Sequence, residues 1–96
     1  MNRIDVHHHL LPSFYIEAAT PARITEQAPK RSRVALDWTP EKSLAEMDAN
    51  GVRTAVMSIS APGLWFGDAK ATARLARQCN DYHAEIVARH PTRFGQ

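Results

Sequence analysis

Val52 to Ser60 is the stretch that most limits what this chain can fold into. It spans nine residues and carries a single charge, Arg53. Ala55, Met57 and Ile59 alternate with Thr54, Val56 and Ser58, which is the two-residue period of a β-strand. A strand with one solvated face would show charge on that face. Here both faces are almost free of it, which predicts an interior strand covered on both sides, as in parallel α/β proteins.

The flanking sequence supplies the covering helices. Thr39–Pro40 has the chemistry of a helix start: a hydroxyl to accept free amide hydrogens, then proline at the first helical position. Glu41 in the first turn suits the helix dipole. Leu44 and Met47 share one face, and Asn50–Gly51 offers the left-handed residue that ends helices. Asp68 is an N-cap for a second helix running to about His90, where Pro91 stops it. Leu75, Cys79, Tyr82 and Ile86 are its expected buried stripe. Arg93 to Gln96 reads as the opening of a further strand.

At the other end, Arg3 to His9 reads as a first strand, closed by Pro12, with a short helix expected over Ser13 to Ala19. Strand alternation places Asp5, His7 and His9 on one face, and Ile4, Val6 and His8 on the other. Two imidazoles one strand-step apart can close on one divalent cation. The pair alone leaves open a metal site and ordinary surface histidines. The natural-looking strand around it argues against the stub of a purification tag. Asp5 has three open roles: a ligand, a partner behind the ligands, or a buried acid that fixes the strand. Thr20 to Arg33, with Pro21 and Pro29, has no clean periodicity and reads as a long connection. Phe14 and Tyr15 are either pocket lining or core. Trp65 and Phe66, after the Ala61–Pro62–Gly63 turn, either wall a substrate pocket or plug the sheet end. Trp38 is expected to anchor the connection against the domain.

Composition excludes several classes. The formal charge is +2, and the densest basic group, Lys30, Arg31 and Arg33, reads as a solvated loop; no nucleic-acid partner is expected. No run approaches a membrane span and no signal peptide is evident, so no membrane partner and a cytoplasmic location are expected. Cys79 is the lone cysteine, so there is no disulfide framework. The order strand, loop, helix, strand, helix, incipient strand argues for parallel βαβ units. The expectation is that 1–96 are the first βα units of one incomplete domain, with a long loop at about 18–37. An open sheet edge with apolar faces calls for a partner, so a homo-oligomer is expected.

Ile4–Asp5–Val6–His7–His8–His9–Leu10–Leu11–Pro12 resembles the metal-binding start of amidohydrolase-related proteins of the aminocarboxymuconate-semialdehyde decarboxylase type. Met47 to Val52, Ser58 to Gly63, Arg77 to Asp81 and His90 to Gly95 extend the resemblance. It implies an α/β fold, the N-terminal portion of a metal-dependent hydrolase-type (β/α)8 TIM barrel. It implies His7 and His9 as metal ligands, no role for His8, and no substitution of His83 or His90 for the missing ligands. The implied metal is zinc first, with manganese as the alternative. The implied activity of the whole protein is non-oxidative decarboxylation, a carbon–carbon lyase reaction on an aromatic or conjugated carboxylic acid. The catalytic proton-transfer residue is expected beyond Gln96. A metal-dependent amidohydrolase or hydratase is the alternative, and a non-catalytic fragment that self-associates is another. Trp65, Phe66 and Phe14 are the expected pocket residues.

Overall fold

The computed structural model describes residues 2–20, 24 and 36–96. Most of the expected loop at about 18–37, including Lys30, Arg31 and Arg33, lies outside the described residues. Strand β1 spans Arg3–Leu10 and is followed by helix α1, Ser13–Ala19. Helix α2 is Pro40–Ala49, strand β2 is Val52–Ile59, helix α3 is Ala69–Arg89 and strand β3 is Phe94–Gly95. The three strands form one parallel sheet in the order β1-β2-β3. The nearly uncharged strand is therefore the central one, as its composition requires.

The helix ends follow their local chemistry. The Thr39 hydroxyl accepts from the Lys42 amide at 3.2 Å. The Asp68 carboxylate accepts from the Lys70 amide at 2.9 Å and the Ala71 amide at 3.3 Å. Gly51 takes the left-handed conformation, φ 69°, that turns α2 into β2. No described helix is long and apolar enough to cross a membrane.

Two apolar clusters hold the layers together. In one, Leu10, Ala55, Met57 and Phe94 of the sheet meet Met47 of α2 and Ile86 of α3. In the other, Leu11, Tyr15, Ala19 and Ile24 meet Leu75 and Cys79 of α3. Trp38 and Ile59 pack against both. Trp38 thus anchors the chain entering α2, as its bulk suggested.

The inward stripe of α3 differs from expectation at one step. Leu75, Cys79 and Ile86 are buried, but Tyr82 is only half-buried and His83 is buried beside it. Tyr82 lies on the stripe but keeps part of its large ring at the surface, with one edge on Phe14, centroids 5.6 Å apart. His83 is drawn inward because Nε2–H donates to the Gly95 carbonyl at 3.2 Å. Burial holds the His83 imidazole below its ordinary pKa, with the Gly95 bond opposing.

Two outcomes follow for stability. Leu75→Ala should lower the free energy of urea unfolding by roughly 2–5 kcal/mol through lost transfer energy and the cavity left behind. A change near zero would show that this face does not carry the packing. His83 titrates near about 6.5 when unfolded and lower when folded, so the unfolded state binds more protons between those values. Stability should therefore rise with pH across that window and fall on acidification below about 6.5. The urea midpoint of His83→Gln should depend less on pH there than that of the native sequence; equal pH profiles would remove His83 as a source of the dependence.

Candidate metal centre

The middle of β1 does not run in simple alternation. Asp5 lies opposite Ala55 and His8 opposite Met57, so β1 advances three residues while β2 advances two. A compensating shift sits between Arg3 and Ile4, and the pairing regains its original offset by Leu10 opposite Ile59. The extra residue in β1 changes which side chains share a face. Ile4 and Val6 are exposed, at 63% and 78%, while His8 is tucked toward α2 with only 15% of its side chain exposed. The expected grouping of Ile4, Val6 and His8 is therefore wrong, and so is that of Asp5 with His7 and His9. Asp5 turns to His8 instead.

His7 and His9 do converge. Their Nε2 atoms are 3.1 Å apart and their rings meet edge to face with centroids 4.9 Å apart. His9 Nδ1 lies 3.3 Å from the Ser58 carbonyl on the neighbouring strand. A carbonyl can only accept, so Nδ1 carries the hydrogen and the neutral ring presents its Nε2 lone pair outward. His7 Nε2–H then donates to that lone pair. Two zinc–imidazole bonds of about 2.0–2.1 Å each can bridge this separation, so the donor chemistry and spacing fit one divalent ion. Among the described residues, no set of three or more His, Cys, Asp or Glu side chains gathers to hold one.

Behind the pair lies a chain of hydrogen bonds. The Asp5 carboxylate accepts the His7 amide at 2.9 Å through Oδ1 and faces His8 Nδ1 at 3.1 Å through Oδ2. His8 Nε2 is 3.0 Å from Ser43 Oγ, and Trp38 Nε1 donates to the same Oγ at 2.8 Å. The His7 amide and then the His8 ring hold the Asp5 carboxyl below the usual carboxylate range. Of the three roles open to Asp5, the geometry matches that of a partner behind the histidines. Neither Ser43 nor Trp38 is signalled for this role by its own neighbours, since Ser43 reaches His8 across from helix to strand and Trp38 joins only through Ser43.

The pocket residues separate. Trp65 is 63% exposed. Phe66 packs against the α1–α3 cluster and lines a cleft of about 160 Å³ with Ala18, Leu64, Thr72 and Leu75. None of the histidines lines that cleft. Phe14 packs on Tyr82. Tyr15, left open between pocket and core, is fully buried and donates its hydroxyl to the Gly63 carbonyl at 2.8 Å. Burial pushes its pKa up to about 12, so the phenol stays a donor and ties α1 to the loop that carries Trp65.

No family model matches the chain. Among curated proteins, it is 43% identical to decarboxylase yanB of Aspergillus niger and 41% identical to decarboxylase macB of Penicillium terrestre. Each match covers 99% of this chain but 25% and 28% of those proteins, so the chain spans about a quarter of their length. Among solved structures, it is similar to 5-carboxyvanillate decarboxylase LigW from Sphingomonas paucimobilis, with TM-score 0.78, 29% identity, and coverage of 97% of this chain and 32% of that one. It is also similar to a dihydroxybenzoic acid decarboxylase from Polaromonas sp. JS666, solved with manganese and 2-nitroresorcinol, with TM-score 0.72, 28% identity, and coverage of 98% and 29%. An amidohydrolase II structure matches with TM-score 0.76 and 29% identity over 98% of this chain and 30% of that one. Sequence and fold together place the chain in the amidohydrolase-related family, on its aminocarboxymuconate-semialdehyde decarboxylase-like branch, as the N-terminal portion of a (β/α)8 barrel.

Proposed function

We propose that the protein to which this chain belongs is a metal-dependent, non-oxidative decarboxylase of an aromatic carboxylic acid, and that His7 and His9 are two of its metal ligands. The observation that carries the reading is the 3.1 Å convergence of the two Nε2 atoms at the end of the first strand. The naming of the fungal relatives as decarboxylases supports the reaction class. The manganese in the Polaromonas enzyme supports a divalent ion, and supports manganese ahead of zinc.

In this reading a bound divalent ion supplies positive charge where substrate oxygens gather. The chain's own residues do the rest of the work at this end of the barrel. Ser58 fixes the His9 tautomer through Nδ1. Asp5 fixes the backbone at His7. The exposed Trp65 ring, on a loop at the C-terminal end of β2, offers a flat apolar surface to an aromatic acid. The remaining ligands and the group that delivers a proton to the ring carbon come from elsewhere in the barrel.

His7→Ala and His9→Ala in the whole protein should each strip manganese from the purified enzyme and abolish carbon dioxide release from a hydroxybenzoate-type substrate. Elemental analysis showing undiminished metal in both variants would sink the ligand assignment. Amide or ester hydrolysis without carbon dioxide would move the protein to the hydrolytic alternative. Residues 1–96 alone should show no turnover, because two imidazoles fall short of the about three protein ligands of a catalytic site. Carbon dioxide release at enzymatic rates by that piece would place the proton-transfer group within it.

A further inference from the structure

We propose that His8, to which the family resemblance gives no role, is a positioning residue. In this proposal Trp38, Ser43, His8 and Asp5 form a directed hydrogen-bond relay that holds the His7 end of the metal-binding pair. The inference rests on the reading of His7 and His9 as metal ligands and adds what keeps them in place.

The direction of the relay follows from what each group can do. The Trp38 indole can only donate, so Ser43 Oγ accepts from it at 2.8 Å. The Ser43 hydrogen is then free to point at His8 Nε2, 3.0 Å away. A neutral His8 that accepts at Nε2 carries its hydrogen on Nδ1, which donates to Asp5 Oδ2 at 3.1 Å. Asp5 uses its other oxygen to accept the His7 backbone N–H at 2.9 Å. Every member is thereby used once in the right sense, and no buried side-chain nitrogen or oxygen among the described residues lacks a partner.

The end of the relay falls where β1 needs it. The register shift between Asp5 and His8 interrupts the ladder to β2, and an amide in such a shift loses its regular partner. The Asp5 carboxylate supplies that partner to His7. Without it the strand gains by closing back into even register, and a one-residue slip turns side chains to the opposite face. The same three residue types, aspartate, histidine and serine, serve as a nucleophilic set in hydrolases. That reading fails here, because Ser43 is 5% exposed and its oxygen is already engaged by Trp38 and His8.

The test uses the whole protein and manganese as the probe, with free Mn2+ read by electron paramagnetic resonance. His8→Ala should weaken manganese binding by about tenfold or more, in line with the usual effect of removing a group that orients a ligand. His8→Asn keeps a donor at the position of Nδ1 and should restore binding to within about threefold of the native protein. Imidazole 15N spectra of the metal-free native protein, assigned by the signal lost in His8→Asn, should show His8 protonated at Nδ1 and not at Nε2. That measurement stands even where His8→Ala does not fold. An Nε2–H tautomer overturns the relay, and so does unchanged affinity in a folded His8→Ala when His7→Ala has lost it. A native protein that takes up no manganese, or a His7→Ala that keeps full affinity, overturns the metal assignment itself and the relay with it.

Discussion

One extra residue in β1 decides which way its polar side chains face. Without the register shift between Asp5 and His8, strict alternation would align Asp5 with His7 and His9 and bury Val6 beside His8. With it, the carboxylate moves behind the strand, His8 reaches Ser43 on α2, and Val6 is left at the surface. Two histidines remain outside with their ring nitrogens together. A neighbouring carboxylate on the same face would have competed for their hydrogens. Placed behind the strand, the same carboxylate instead satisfies the amide that the shift frees.

That arrangement can persist because the sheet behind it is firmly packed. Ala55 and Met57, the partners of Asp5 and His8, sit in the cluster that joins both helices to the sheet. Ala55 is fully buried, so a slip of β2 to follow β1 would disturb packed neighbours. Trp38 takes part in both halves of this design. Its ring packs against both apolar clusters, and its nitrogen starts the hydrogen-bond chain that ends at His7. A partly buried polar relay at a helix–sheet junction is favourable only when each member is satisfied. Trp38 closes this one because indole is a donor with no need to accept.

What could be read from the chain beforehand was whatever depends on near neighbours. Thr39 and Asp68 announce helix starts because a cap is made within three residues. Gly51 announces a reversal because its backbone conformation is its own property. The convergence of His7 and His9 follows from a two-residue period that survives beyond the shift. Asp5 was misplaced because a register shift is a relation between two strands, and nothing in Arg3 to His9 alone encodes it. The exchange of Tyr82 for His83 in the buried stripe turns on the carbonyl of Gly95, twelve residues away. Ser43 carries no signal at all: an isolated serine in a helix is ordinary until an indole and an imidazole close on it.

The two ends of the sheet are built on different principles. At the N-terminal end, Arg93 spans several groups at once: Nη2 meets the Asp48 carboxylate at 2.6 Å and Nε donates to the Arg53 carbonyl at 2.7 Å. Beside it, Thr54 donates to the Thr92 carbonyl at 2.8 Å. These bonds lash the end of α2, the start of β2 and the approach to β3 together, and they present nothing reactive. At the C-terminal end the outward groups are imidazoles, a serine and an exposed indole, with the His9 ring held from behind by the Ser58 carbonyl. In α/β barrels the first end serves stability and the second serves chemistry. Parallel strands allow that division because every strand delivers its last residues to the same side. The direction of the sheet alone therefore brings His9 of β1 next to Ser58 of β2. The register shift then gives His7 the amide contact with Asp5 that a regular strand would have spent on the ladder.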